Sequence, residues 1–470
     1  MIAAIVLAAA LAAKPSPTPV ATPTPLPIAP LPVPQAQAGV PQTVTLQQAI
    51  DIAVAKSPVL ASAFANYQLT QIPVEIARSA IFPNISANAT ISRSQNNRSS
   101  SAGGSSSGSG GTGSSGGGSI GNTFNSRGVS VDLRQLIFDG GKSIALIHQA
   151  QNNALAGSQT YQRALETLAF NVSQAYFTAL QAQSTVHVDQ EILKQAQTNE
   201  NLTRAQVHAG TSARVDQITA HVPTVQAQVN LTRDQGALAS ALGAFANSIG
   251  LDPTVLVQPA TTGTSNPSAL LVPVLPYQQA VTRALALRPD YLSSQSAVAA
   301  AQYNVQAQRA GYLPTLNGNA SVGTNSTLPN GSGFVSSNSI GATLSIPIFD
   351  QGLTRAQVQQ AEQQLNLAQA NAAQTRLGVE LNVQQALVAV ASNQAAVVQA
   401  QAAVASAQES LRGAQAQYRA GVTNLVTLLQ AQTNYTQAES SLINAVYTLR
   451  QAEQQYVYAI GESSINPTSH

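Results

Sequence analysis

Ile346-Pro347-Ile348-Phe349-Asp350-Gln351-Gly352 decides the fold, because it marks a change of period and occurs twice. The first copy is Leu136-Ile137-Phe138-Asp139-Gly140-Gly141, with the two Phe-Asp pairs 211 positions apart. Upstream of each copy the sequence alternates. Ile85, Ala87, Ala89 and Ile91 interleave with Ser86, Asn88, Thr90 and Ser92, and Val129, Val131 and Leu133 with Ser130, Asp132 and Arg134. In the second copy Leu316, Gly318, Ala320 and Val322, then Ile340, Ala342, Leu344 and Ile346, do the same. A period of two with one apolar face predicts strands of about ten residues, in the pattern of barrel strands whose apolar side chains face lipid.

Downstream of each copy the period becomes helical. Gly141 to Val207 and Gly352 to Arg419 run about 68 residues without a proline, a helix of roughly 100 Å at 1.5 Å per residue. Return helices follow over about 213–249 and 424–460, with Pro223 expected to interrupt and kink the first. Val383, Val390, Val397, Val404, Leu411 and Tyr418 recur every seven residues, backed by Ala386, Ala400, Ala407 and Ala414, with Asn393 in the remaining place. Leu428, Tyr435, Leu442, Leu449 and Tyr456 form the facing stripe beside Ala431, Ala438, Ala445, Ala452 and Ala459. Such heptads predict antiparallel coiled coils.

The repetition extends further out. Gln47-Gln48-Ala49 recurs as Gln278-Gln279-Ala280, Ser57-Pro58 sits opposite Arg288-Pro289, and Arg78 to Pro83 opposite Arg309 to Pro314, each 231 positions apart. Beyond the strands, Ala209-Gly210-Thr211 recurs as Ala420-Gly421-Val422 at 211. The difference of 20 is an insertion in the first repeat, matched by a Ser/Gly tract at 99–119. Each repeat opens with an expected helix, about 45–81 and 276–312, stopped by Pro83 and Pro314. The repeats span 43–262 and 273–466. Ahead of them, 1–13 is an apolar run in which Ala10-Leu11-Ala12 fits a signal-peptidase site and which is expected to be a secretory signal peptide, and 14–42, with ten of the 24 prolines, is expected to be an extended, disordered segment. No other stretch approaches the roughly 20 apolar residues of a spanning helix.

Four strands cannot close a barrel, which takes about eight, and open edges are not tolerated in lipid. Membrane strands therefore require copies to share one barrel. Two copies would give eight strands and a filled interior; three would give twelve and room for a channel.

The order helix–Pro–strand–loop–strand–Phe-Asp-x-Gly–long helix–Gly turn–helix, given twice, resembles the TolC-like outer-membrane efflux proteins. Gln417-Tyr418-Arg419-Ala420-Gly421-Val422-Thr423-Asn424-Leu425 and Val207-His208-Ala209-Gly210-Thr211 carry the resemblance at the far turns. It implies a homotrimer with a twelve-stranded transmembrane barrel in the outer-membrane lipid, continued by a coiled-coil tunnel across the periplasm. It also implies docking to a periplasmic adaptor (a membrane fusion protein) and, through it, to an inner-membrane pump of RND or ABC type. Gly210, Thr211, Gly421, Val422 and Thr423 would form the periplasmic tip. Pro83, Phe138, Asp139, Pro314, Phe349 and Asp350 would form the barrel-to-helix junction. Many relatives narrow the tip with acidic residues; this chain has Thr427 and Gln430 there, leaving Asp216 as the acidic candidate, with Arg214 and Arg419 as partners.

Chemistry of other kinds finds little footing. There is no cysteine, so thiolate sites, disulfides and a lipid-modified N-terminal cysteine are excluded. A net charge of +2 gives no stripe for nucleic acid. Gly104-Ser105-Ser106-Ser107-Gly108 has the spacing of a hydrolase elbow without its strand–turn–helix setting. His148, His187, His208, His221 and His470 are dispersed, and no phosphate-binding fingerprint occurs. The sequence thus reads as a passive conduit without cofactor; an envelope coiled-coil protein would share the heptads but not the duplicated strands.

Overall fold

The computed structural model describes residues 42–96, 122–255, 257–260, 267–328 and 333–462. The leader at 1–13, the Pro-rich segment up to residue 41, the Ser/Gly tract at 99–119 and His470 lie outside the described residues.

The first repeat comprises β1 (Gln42–Val44), α1 (Leu46–Lys56), α2 (Pro58–Ser79), β2 (Asn84–Asn96), β3 (Asn122–Phe138), α3 (Lys142–His208), α4 (Arg214–Ser248) and β4 (Val257–Pro259). The second comprises α5 (Tyr277–Leu287), α6 (Pro289–Arg309), a 3₁₀ turn (Ala310–Tyr312), β5 (Thr315–Leu328), β6 (Val335–Ser345), α7 (Leu353–Arg419) and α8 (Leu425–Ile460). Both α3 and α7 have 67 residues.

The opening helix of each repeat is two helices, not one. Ser57 (φ −70°, ψ 120°) and Arg288 (φ −64°, ψ 119°) break it in extended conformation. The cause is local: Pro58 and Pro289 follow, and the residue before a proline is pushed out of the α region. Pro223, by contrast, lies inside a continuous α4. Its missing N–H leaves one carbonyl unbonded but does not interrupt the helix.

The strands form one antiparallel sheet of order β2-β3-β5-β6. Register sets Ile85 against Leu133, Ala87 against Val131, Val131 against Val322, Ala320 against Ile340 and Leu316 against Leu344. Partners share a face, so the apolar set is continuous across all four strands. On the other face Asn88 Nδ2 (2.9 Å) and Ser130 Oγ (3.0 Å) donate to Asp132 Oδ2, and Ser321 meets Ser339 at 2.8 Å. The strands have 13, 17, 14 and 11 residues, longer than the alternation because their polar outer ends pair as well. A bulge between Leu136 and Phe138 turns Phe138 to the side of Leu316, the apolar face. β2 and β6 are the sheet's two edges.

The long helices pack as predicted, α3 along α4 and α7 along α8. Val383, Ala386, Val390 and Val397 are buried with Leu449, Ala452, Tyr456 and Ala459. Leu411 and Ala414 are buried with Leu428 and Ala431 further along. In the first repeat, Val172, Tyr176, Phe177 and Leu180 pack with Phe245, Ile249 and Ile50. A two-stranded parallel sheet, β1 with β4, covers that cluster, and the Tyr176 hydroxyl donates to the Ala260 carbonyl at 2.7 Å. The sequence reading lacks this sheet, since three-residue strands display no period.

One 18-residue window of α7 reaches a mean hydropathy of 1.3, against the expectation that none nears membrane quality. It does so through two apolar stripes. In this part of α7 Val390 and Val397 are buried against α8, while Val388 and Val398 are exposed.

Phe245 is fully buried and edge-on to Tyr176 at 5.7 Å. Phe245→Ala should destabilise the helical region by about 3–5 kcal/mol and Phe245→Leu by less than about 1.5 kcal/mol. Denaturant unfolding followed by circular dichroism checks both.

Candidate functional site

At the junction, each strand pair hands over to its long helix through an aspartate. Asp139 accepts from Gly141 N (3.1 Å), Ser143 N (2.7 Å) and Ser143 Oγ (2.5 Å). Asp350 accepts from Gly352 N (3.0 Å) and Thr354 N (2.7 Å), and hydrogen bonding from Thr354 holds its carboxyl below the usual range. Each carboxylate therefore caps a 67-residue helix. Gly140 (φ +66°) could not carry a side chain: its Cβ would stand 2.6 Å from Leu313 of the second repeat. Around this level Ile81, Phe82, Phe138, Tyr312, Ile348 and Phe349 are exposed. Pro83 and Pro314 follow the ends of α2 and the 3₁₀ turn and lead into β2 and β5.

At the opposite end, Gly210 (φ +75°) and Gly421 (φ +72°) sit left-handed between the long and return helices. Thr211 N reaches back to the Gln206 carbonyl (2.9 Å) and Val422 N to the Gln417 carbonyl (3.0 Å), the six-to-one bond of a glycine C-cap. The Val422 side chain is 78% exposed and Thr423 is half-buried beside it. The candidate gate residues are divided. Asp216 Oδ2 accepts from Ala213 N at 3.2 Å and so caps the start of α4. Thr427 donates its N–H (3.0 Å) and hydroxyl (2.8 Å) to Asn424, which caps α8. Gln430 bonds Asn434 at 3.1 Å. Arg214 and Arg419 are exposed, and no ion pair among the described residues joins either to Asp216.

Between the ends, the contact of α3 with α8, which joins the repeats, differs from the coiled coils. Toward the tip it is a polar seam, Gln181 with Asn444 (2.7 Å), Ser184 with Tyr447 (2.8 Å) and Asn199 with Gln432 (2.8 Å), continued by Gln206 of α3 with Tyr418 of α7 (3.0 Å), whereas nearer the barrel Phe170 stacks on Tyr458 at 4.7 Å. The segment between repeats is pinned by a buried pair. Arg450 bonds Glu453 at 3.0 Å and the Ala269 carbonyl at 2.9 Å, while Glu453 accepts from Leu271 N at 2.9 Å. None of these residues stands out in sequence, because each is an ordinary polar residue on a helix until its partner, 170 or more positions away in most cases, is known.

A second buried acid lies in the first coiled coil. Asp189 is 8% exposed, and its Oδ2 has no hydrogen-bond partner among the described residues. Burial, with Asp234 beside it, pushes its carboxyl up to about 6. Asp234 is held down by the bidentate Arg233 (2.8 and 3.0 Å). Since the folded value of Asp189 exceeds the unfolded value of about 4, the native state binds more protons between those pH values. Its stability contribution is full below about pH 4 and is lost as pH rises through about 6. Thermal scans of the wild type across this window should show falling stability, and Asp189→Asn should flatten the slope.

The sequence profile described as "Outer membrane efflux protein" matches residues 49–251 and again 280–462. Protein CyaE of Bordetella pertussis is 28% identical over 430 residues, covering 89% of this chain and 84% of that protein. Outer membrane efflux protein BepC of Brucella suis is 24% identical over 419 residues, covering 89% and 85%. Among solved structures, the Campylobacter jejuni CmeC outer membrane channel superposes with a TM-score of 0.75 at 19% identity, covering 89% of this chain and 85% of that one. With the duplicated match spanning most of its length and the same fold, this chain belongs to the outer membrane efflux protein family.

Proposed function

We propose that three copies close into one duct, a twelve-stranded barrel in the outer membrane continued by a helical tunnel, through which substrates pass without chemical change. The observation that carries this is the sheet: four strands, one continuous apolar face, two open edges, each strand pair running into a 67-residue helix. In lipid the edge strands β2 and β6 need partners, and the β6 edge of one copy meets the β2 edge of the next.

The repeat supports the same ring in its helices. Within the chain, α3 of the first repeat packs on α6 of the second, with Ser293 Oγ donating to the Ala156 carbonyl at 3.1 Å. By the repeat offsets, the equivalent contact is α7 on α2, which the single chain leaves open. There Leu367 (62% exposed), Leu377 (65%) and Leu381 take the places of Ala156, Glu166 and Phe170. Val59 (70%), Leu69 and Ile76 (64%) take those of Asp290, Ala300 and Ala307. Apart from Phe170 these closed-seam positions are polar or small, while every counterpart on the open seam is apolar, as a seam between copies requires. The head-to-tail contact closes with three copies, six repeats in all.

Energy comes from partners. A periplasmic adaptor docks at the turns of Gly210, Thr211, Gly421, Val422 and Thr423 and links the duct to an inner-membrane pump of an efflux or type I secretion system. The chain itself performs no catalysis. Opening slides α7 and α8, which share an apolar core, over α3 along the polar seam, where hydrogen bonds exchange at little cost. Asp216 acts as the tip's acidic latch, and Arg214, Arg419, Thr427 and Gln430 are the other gate candidates.

Two experiments follow. Leu377→Glu combined with Leu69→Glu should leave monomers where the wild type sediments as a trimer in detergent; a trimer with both changes would contradict the seam. Asp216→Ala should raise single-channel conductance in planar bilayers and change antibiotic susceptibility. Unchanged values in both assays would remove the latch.

A further inference from the structure

The outward, apolar face of the sheet ends differently at its two margins. At the helix end the margin is aromatic and aliphatic, with Phe82, Phe138, Tyr312 and Phe349 exposed. At the loop end the alternation continues with the same faces but a different chemistry. Ile91 pairs with Arg127, Arg93 with Asn125, Arg127 with Ser326, Val129 with Thr324, and Val322 with Asn338. Since directly paired residues share a face, Arg93, Asn125, Arg127, Thr324, Ser326 and Asn338 all lie on the outward side, immediately beyond the apolar band.

Three properties of this margin point to a ligand. Arg93 and Arg127 are diagonal neighbours, their Cβ atoms within about 7–8 Å, so two guanidinium groups can converge on one anion. Both are exposed, and neither has a hydrogen bond or ion pair among the described residues. The described residues of that face include no acid, since Asp132 pairs with Ser86 on the opposite side. The depth also fits. From Phe138 to Arg127 the strand covers about 37 Å at 3.4 Å per residue. With the usual 35–45° tilt that is about 26–31 Å along the membrane normal, enough to cross a barrel's apolar band of about 25 Å and reach its margin. If the aromatic margin is at the inner interface, the arginines stand at the headgroups of the outer leaflet.

We propose that Arg93 and Arg127, with the hydroxyl and amide donors beside them, form a binding site for the phosphate groups of the glycolipid that makes up the outer leaflet. Planar, forked guanidinium groups suit phosphate oxygens bidentately, and a leaflet rich in anionic headgroups attracts basic residues at this depth. Three copies carry six such arginines in a collar, which fixes the barrel's height and orientation. The site rests on the barrel reading given above.

The test uses the full-length protein in detergent with diphosphorylated lipid A or the same lipid stripped of both phosphates, and native mass spectrometry counts the bound lipid. The wild type should hold the phosphorylated form about tenfold more tightly or better. Arg93→Gln combined with Arg127→Gln should abolish that preference, while Arg134→Gln on the opposite face should keep it. If the double variant fails to assemble, Arg127→Thr, which matches neighbouring Thr324, is expected to weaken the preference on its own. The proposal is overturned if the wild type shows no preference, or if the assembled variants retain it in full. Oligomer bands and bilayer conductance from the same preparations separate the two readings. A wild type without oligomer or pore refutes the barrel, whereas a conducting oligomer indifferent to phosphate refutes the site alone.

Discussion

Backbone N–H and C=O groups left unpaired in hydrocarbon cost several kcal/mol each, and the sheet presents two edges of them along β2 and β6. Nothing among the described residues meets that demand. The apolar face across Ala87, Val131, Val322 and Asn338's neighbour Ile340 places the sheet in lipid, so the edges must be paired by further copies. From this follows the ring, and from the ring the tunnel, because each strand pair is capped by Asp139 or Asp350 directly into a long helix. The rest of the chain extends the conduit and joins its parts.

Two kinds of contact divide the labour in the helical region. Within each repeat, stripes such as Val383, Val390 and Val397 against Leu449 and Tyr456 exclude water and hold a helix pair as one body. Between repeats, the seam of Gln181, Asn199 and Gln206 with Asn444, Gln432 and Tyr418 is made of hydrogen bonds, whose net worth is small because water can replace them. Apolar pairs resist shear and polar seams permit it. The buried Arg450–Glu453 pair belongs to neither class: it ties the inter-repeat segment to α8 and keeps the second repeat's base fixed.

Much of this was legible in the sequence because it is periodic. The heptads of 383–418 and 428–456 are the observed buried and half-buried stripes, and the alternation at 85–91, 129–133, 316–322 and 340–344 is the observed apolar face. What could not be read lacks a period or depends on a distant partner. Ser57 breaks the opening helix through the ring of Pro58, a one-residue effect inside a helical pattern. β1 and β4 are too short to alternate. At the tip, Asp216, Thr427 and Gln430 were visible as residue types, but helix capping and local hydrogen bonds engage them in ways that no sequence spacing distinguishes from a gate. Nothing in the sequence around Asp189 marks it as buried; it is, beside Asp234 of α4.

The central claim is that one chain supplies a third of a closed duct. Imaging of the detergent-extracted protein by negative stain, end-on and side-on, tests it most directly. The account predicts rings of threefold symmetry continuous with tubes roughly 100 Å long beyond the barrel. Isolated monomers, filaments, or a closed ring of two copies would contradict it.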